Sequence, residues 1–476
     1  MPLRDAALLL LGHGSTLNAD SSAPTYLHAE EIRRRNIFAE VHVAFWKEEP
    51  NFRQALRQTA CSQVYVVPNF ISSGYFTEQV IPRELGLTGP ISRVEGKEVH
   101  YCQPVGLSGE AMTDVLLRRA REVVEATGEI CDPAQTCLFI CGHGTSLNDN
   151  STKIIQEQAA IIRERGIYAA CQGVLMEQQP FVKDWRTLTV CADVIVVPFF
   201  ISDGLHSYED IPVLIGLTHN MREKGFKNPH REEGRRLWYA SAIGTETEIA
   251  DVILRQVEQS EGFVPEEASD LPCHSTCFRA SHDFLGSAFA VEPPWTIGQV
   301  LITLTQDGYQ LRHINDRELP AKNLRAIHSL ADLREMILRD EEGAFRPLRA
   351  APNLRHGWVA SLTDGGDVST FLDYIYPAAR ANHALWKNGD LIATPWSETA
   401  ERQTGRFRIV REIDDAAIQE LAAQVCQPGC LKRRLWSPAS QPVEATPHEI
   451  PLLCPEACNF LVGQARATLK GHSPED

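Results

Sequence analysis

Leu8-Leu9-Leu10-Leu11-Gly12-His13-Gly14-Ser15 returns 130 residues later as Leu138-Phe139-Ile140-Cys141-Gly142-His143-Gly144-Thr145. Outward from this octet, residues 7–88 align with 137–218 without a gap, and 29 of 82 positions are identical. Average amino-acid usage would give roughly 5–8% by chance. The register holds at Val64-Tyr65-Val66-Val67-Pro68 against Val194-Ile195-Val196-Val197-Pro198. It holds again at Phe70-Ile71-Ser72-Ser73-Gly74 against Phe200-Ile201-Ser202-Asp203-Gly204, and at Gly86-Leu87-Thr88 against Gly216-Leu217-Thr218. A continuous apolar run fits a strand buried on both faces of a parallel sheet. Helical stretches near Tyr26–Asn36 and Ile155–Gly166, followed by second and third strands, predict right-handed β-α-β units. The fold class is therefore α/β, with two tandem doubly wound parallel-sheet lobes over residues 1–130 and 131–262.

In such sheets the ligand crevice lies beyond the carboxyl ends of the strands, where His13 and His143 both fall. The second repeat adds Gly204-Leu205-His206 and then Ser207-Tyr208-Glu209-Asp210-Ile211-Pro212. His206 and Asp210 are four apart and share a face on a helix, so the carboxylate can orient the imidazole. The first repeat has Phe76 and Val80 there, and Lys47 in place of Glu177, which predicts one working site and one vestigial copy. His143, His206 and Glu177 thus come from three strand ends. Two imidazoles and a carboxylate can bind a divalent first-row metal with positions left open. Neutral imidazole, of reference pKa about 6.5, can also accept a proton near pH 7. A His-Gly turn can equally be a plain tight turn, and Asp210 a plain helix-end charge.

The chain has 476 residues, is 43% apolar and carries a formal charge of −16. That composition is ordinary for a globular protein and unsuited to broad nucleic-acid binding. No apolar stretch is long enough for a membrane span. Thirteen cysteines without a secretory signal argue for a reducing, cytoplasmic location rather than a disulfide framework.

These residues resemble the CbiX-like class II chelatases, over roughly residues 6–250. The resemblance rests on the duplicated Leu-Gly-His-Gly-Ser strand end and on Gly-x-His-x-x-x-Asp-Ile-Pro at 204–212. It implies a sirohydrochlorin-like tetrapyrrole substrate in a cleft between two lobes, with insertion of Co2+ or Fe2+ for cobalamin or siroheme biosynthesis. It implies metal ligation and proton acceptance at His143 and His206 with Glu177 assisting, and His13 facing the cleft without binding metal. Metal entry must displace two pyrrole protons and deform the ring, so a cleft shaped for the bent ring favours the reaction. Helix N-termini near Ser15–Asn18 and Thr145–Asn148 are candidate donors to the substrate's carboxylates.

Beyond residue 262 the repeat stops. Residues 263–345 read as a linker and a small α+β stabilising domain, with a hairpin across Gln306-Asp307-Gly308 and a helix at about Leu324–Leu338. Trp386-Lys387-Asn388-Gly389-Asp390 carries a second hairpin signal, and a helix near Asp414–Val425 runs into Cys426. Residues 346–476 hold Cys426-Gln-Pro-Gly-Cys430 and Cys454-Pro-Glu-Ala-Cys458. Four thiolates from two clips satisfy a 4Fe–4S cluster or structural zinc, and the three-residue gaps favour the cluster. Some CbiX-like chelatases are fused to such a cluster domain. Cys273 and Cys277 form a third pair, either further ligands or a bare linker segment. The rival reading is a non-catalytic metal- or tetrapyrrole-binding redox protein on a degenerate chelatase scaffold. Oligomeric state is not legible in the sequence.

Overall fold

The structure is a computed structural model. It describes residues 3–15, 18–144, 149–202, 204, 206–218, 226–263, 291–339, 342, 344, 353–426, 430–437 and 443–470. Two compact units emerge. The first comprises Met1–His13, Asp20–Val43 and Cys61–Ser269; the second comprises Gly14–Ala19, Ala44–Ala60 and Asp270–Asp476.

The repeats build two lobes of the same plan. The first runs β1 (Leu3–Gly12), α1 (Ala23–Arg34), β2 (Phe38–Phe45), α2 (Phe52–Ala55), β3 (Gln63–Pro68), α3 (Ile81–Leu85), β4 (Ile91–Val94), β5 (Lys97–Tyr101) and α4 (Glu110–Glu125). The second runs β6 (Thr136–Gly142), α5 (Asn150–Arg165), β7 (Ala170–Leu175), α6 (Trp185–Leu188), β8 (Asp193–Pro198), α7 (Ile211–Leu214), β9 (His230–Glu232), β10 (Arg235–Tyr239) and α8 (Ile249–Glu258). The sheet orders are β2-β1-β3-β5-β4 and β7-β6-β8-β10-β9. β1 pairs in parallel with β3, Leu8 opposite Tyr65, and β6 with β8, Leu138 opposite Ile195. Leu8–Leu11 and Leu138–Cys141 are buried, as strands covered on both faces must be.

The last helix of each repeat is exchanged. α4 packs on α5, β8 and β10 of the second lobe, and α8 on α1 and β3 of the first. Matching contacts seal both crossings. Arg165 Nη1 meets Asp114 Oδ1 at 2.6 Å, and Arg35 pairs with Asp251. Gln158 Nε2 donates to the Gly109 carbonyl at 3.1 Å, and His28 Nε2 to the Gly244 carbonyl at 2.9 Å. Backbones touch where a side chain could not fit. A Cβ on Gly106 would lie 1.8 Å from the Ile71 carbonyl oxygen, and one on Gly244 1.7 Å from that of Ile201.

The second unit holds a six-stranded sheet and its own apolar core around Trp358, Phe371 and Tyr376. The expected hairpin forms from the strands Val300–Thr305 and Gly308–His313, antiparallel with Thr305 opposite Gly308. Two expectations are corrected. The helix near 324–338 starts only at Leu330, where Ser329 caps it by accepting from the Asp332 N–H. Arg325–Ile327 instead pairs in parallel with Trp358–Leu362. The 386–390 stretch is no hairpin: Ala379–Asn388 is a helix that Gly389 stops at φ 79°, its N–H donating to Leu385 and Trp386 carbonyls. Asn-Gly serves a type I′ turn or a helix C-cap equally well, and here the helix is the partner. A further helix, Asp415–Cys426, delivers Cys426 at its end. Cys273 and Cys277 lie outside the described residues. No helix among the described residues is long and apolar enough to cross a membrane.

Candidate active site

The turn after β6 presents His143 for a backbone reason. A Cβ on Gly142 would meet Ile155 Cδ1 at 2.1 Å, and Gly144 turns at φ 69° over Leu175. Glycine on both sides lets a buried strand end in an accessible ring. The end of β7 locks the turn: the Met176 and Glu177 N–H groups donate to the His143 carbonyl at 3.1 and 3.0 Å. The Glu177 carboxylate consequently stands 3.6 Å from His143 Nε2, beyond direct hydrogen bonding.

His206 opens a wide helical turn, His206–Asp210, that leads into α7. Ser207 Oγ donates to the Gly204 carbonyl at 2.8 Å, and the Tyr239 hydroxyl, from β10, donates to the Ser207 carbonyl. So held, His206 lies edge-to-face against His143, ring centroids 4.9 Å apart at 73°. His206 Nδ1 is 2.6 Å from Asp210 Oδ2, and His143 Nδ1 is 2.8 Å from the Gly144 carbonyl. Both partners accept, so in the neutral rings each Nδ1 carries the proton and each Nε2 keeps its lone pair. Side-chain exposures of 36% for His143, 52% for His206 and 62% for Glu177 leave the donors open to solvent. Among the described residues no three His, Cys, Asp or Glu side chains close around a single ion. The imidazoles and Glu177 form an open donor set, suited to a metal ion in transit.

The first lobe repeats the geometry without the chemistry. His13 is exposed and meets Phe76 edge-to-face at 5.0 Å and 85°, nearly the His143–His206 arrangement. Phe76 also stacks on Phe70 at 5.9 Å. Tyr101 Oη donates to the Thr77 carbonyl at 2.6 Å, as Tyr239 does to Ser207. Lys47, the counterpart of Glu177, lies over the Phe407 ring at 3.8 Å. Burial, with help from Arg406 and Arg466, pulls its pKa down to about 8. Glu48 Oε1 accepts from the Ser15 N–H at 2.8 Å. The strand-end regions of the lobes adjoin, since Asn150 Nδ2 donates to the Ser73 carbonyl at 3.1 Å. Residues 145–148, one of the expected carboxylate-binding helix starts, lie outside the described residues.

Cys426, Cys430, Cys454 and Cys458 are half-buried thiols. The Cys430 N–H donates to the Cys426 carbonyl at 2.8 Å, and Arg434 pairs with Cys454 across a short parallel bridge. Burial pushes the Cys454 thiol up to about 12 and Cys458 well above its usual value, with neighbouring cysteines adding to both shifts. The Trp436 indole N–H is buried without a hydrogen-bond partner among the described residues, and the Cys454 thiol donates to the Glu456 carbonyl at 3.0 Å. Four thiols carried on two short clips are the ligand set that a four-iron cluster takes. The clip is also braced: Glu456 accepts from Asn51 Nδ2 at 2.6 Å and pairs with Arg53 Nε at 2.8 Å.

A duplicated α/β scaffold ending in an open two-imidazole site defines the class of metal chelatases. The family model CbiX matches residues 7–123 and 137–260, just over half of the chain, and the chain belongs to that family. Residues 286–386 match the DR2241 stabilising domain, and residues 388–467 are a 4Fe–4S iron–sulfur cluster binding domain. A protein of Halobacterium salinarum named probable sirohydrochlorin cobaltochelatase is 44% identical over 268 residues, covering 52% of this chain and 90% of that protein. The sirohydrochlorin cobaltochelatase of Methanocaldococcus jannaschii is 36% identical over 140 residues, covering 24% of this chain and 96% of that protein. That whole relative is thus about as long as one lobe here. The crystal structure of DR2241 from Deinococcus radiodurans, described as a multi-domain protein with structural similarity to chelatases and two additional novel domains, superposes with a TM-score of 0.82. It is 29% identical and covers 98% of this chain and 99% of that one.

Proposed function

We propose that the chain is a sirohydrochlorin chelatase that inserts Co2+ or Fe2+ into the macrocycle, using the second lobe. The observation that carries this reading is the tying-off of both Nδ1 atoms, which leaves two Nε2 lone pairs, that of His143 beside Glu177. His143 and His206 hold the incoming metal through Nε2. As it passes into the ring, two pyrrole N–H protons leave, and the vacated imidazoles accept them. Glu177 offsets the positive charge that gathers there. Asp210 acts through His206, fixing its tautomer. Binding the bent ring better than the flat one lowers the barrier further. Cys426, Cys430, Cys454 and Cys458 hold the 4Fe–4S cluster, which supplies one-electron chemistry when bound.

The test is anaerobic sirohydrochlorin absorbance with Co2+ and Fe2+ in competition. His143→Ala and His206→Ala are expected to lose turnover, and His13→Ala to keep it. Stoichiometric binding without turnover in the native chain would overturn the enzymatic reading in favour of a binding protein.

A further inference from the structure

Three cations converge on one aromatic ring with no acid among them. Phe407 is half-buried on the short helical turn Gly405–Glu412. The Lys47 ammonium stands 3.8 Å from the centre of its ring, the Arg466 guanidinium 5.1 Å and the Arg406 guanidinium 5.8 Å. All four residues belong to the second unit. Lys47 follows the end of β2, and Arg466 rides on the helix Asn459–Leu469. Arg466 is fastened through Nε, which donates to the Arg406 carbonyl at 3.3 Å and leaves the outer guanidinium nitrogens over. The ring face attracts cations, but one ring does not neutralise three.

The neighbouring acids are engaged elsewhere. Glu48, next to Lys47 in the chain, accepts from the Ser15 N–H at 2.8 Å. In the same unit Arg53 pairs with Glu456, Arg402 with Glu398 and Arg411 with Glu401. Among the described residues no carboxylate pairs with Lys47, Arg406 or Arg466. The charges that act on Lys47 are the two guanidiniums, and both oppose its protonation. In a chain with 62 Asp and Glu against 46 Lys and Arg, a knot of unmatched cations is costly and out of character. An anion seated among them relieves the repulsion. Guanidinium forks suit the paired oxygens of a carboxylate or phosphate, and the ammonium adds a point charge.

We propose that Lys47, Arg406 and Arg466 form a binding site for a multiply charged oxyanion, either a phosphate or a polycarboxylate. The site is separate from the imidazole pair and from the four cysteines. Its occupation needs neither metal insertion nor the cluster, so the chelatase reading stands or falls independently.

The experiment is calorimetric titration of the anaerobic full-length protein in chloride buffer with inorganic phosphate and, separately, with citrate. One saturable equivalent is expected for at least one of them. The tighter of the two tells a phosphoryl ligand from a polycarboxylate. Lys47→Met and Arg466→Gln are each expected to weaken binding roughly tenfold, as loss of a charge-assisted hydrogen bond does. Arg406→Lys, which keeps the charge, is expected to retain most of the affinity. Failure of both anions to bind saturably overturns the inference, and so does native affinity in the charge-removing variants. Arg406 is exposed, so Arg406→Gln leaves the packing alone and decides the matter should Lys47→Met fail to fold.

Discussion

Replacing Asp210 by Asn separates the chemistry of the site from its stability. The His206–Asp210 contact is 2.6 Å, but the side chains are 52% and 29% exposed. A polar contact so open to solvent contributes about 0–1 kcal/mol to folding. Its effect on the metal is larger. The carboxylate only accepts, so it fixes the proton on Nδ1 and the lone pair on Nε2. An Asn side chain can also present its NH2 to Nδ1, which moves the imidazole proton to Nε2 and blocks the ligand position. Loss of such an orienting partner lowers metal affinity by roughly 10–100-fold, or about 1.4–2.7 kcal/mol. Asp210→Asn is therefore expected to raise KM for Co2+ by that factor, while denaturant stability moves by less than about 1 kcal/mol. Metal-free binding of the tetrapyrrole should be unchanged. The assay is initial-rate absorbance against cobalt concentration, paired with a urea melt. An unaltered KM for Co2+ would refute the tautomer argument, and so would a loss of activity that merely tracks unfolding.

The remaining expectations concern the vestigial site and the exchanged helices. Phe76 holds nearly the pose of His206, so Phe76→His with Val80→Asp should add one Co2+ equivalent per chain in equilibrium dialysis; unchanged stoichiometry would count against the equivalence of the lobes. Burial pulls His28 from 6.5 down to about 4. The unfolded chain therefore takes up a proton that the fold refuses, and stability is full above pH 6.5 and declines as pH falls from about 6.5 to 4, by roughly 3 kcal/mol in all. His28→Gln, borrowing the residue found at position 158, should flatten that acid limb, and an identical limb would contradict it. Gly244→Ala, driven into the Ile201 carbonyl, should lower stability by about 3 kcal/mol or more; a variant within about 1 kcal/mol of native in denaturant melts would show that the crossing has slack.

What was legible in the sequence, and what was not, follows from the physics of each signal. Buried parallel strands announce themselves because both faces demand apolar residues, so Leu8–Leu11 and Leu138–Cys141 located both sheets. The i,i+4 spacing of His206 and Asp210 needs only local geometry, and it appeared in advance. Tyr239 and Gly244 did not. Their partners Tyr101 and Gly106 lie 138 residues earlier, not 130, because eight extra residues in the second lobe break the constant offset. A second self-comparison at that offset would have found them. The helix exchange was hidden for a different reason: the apolar face of α8 says that it needs a sheet but not which one. The Asn388-Gly389 pair was ambiguous between turn and cap.

Each half of the chelatase unit lends its closing helix to the other, so neither half owns a complete interior. Melting one would strip the cover from its twin, and the pair should come apart as one cooperative block rather than in two stages. The arrangement is what two identical subunits trading tails would leave behind once a short tether between Glu125 and Thr136 joined them into a single polypeptide.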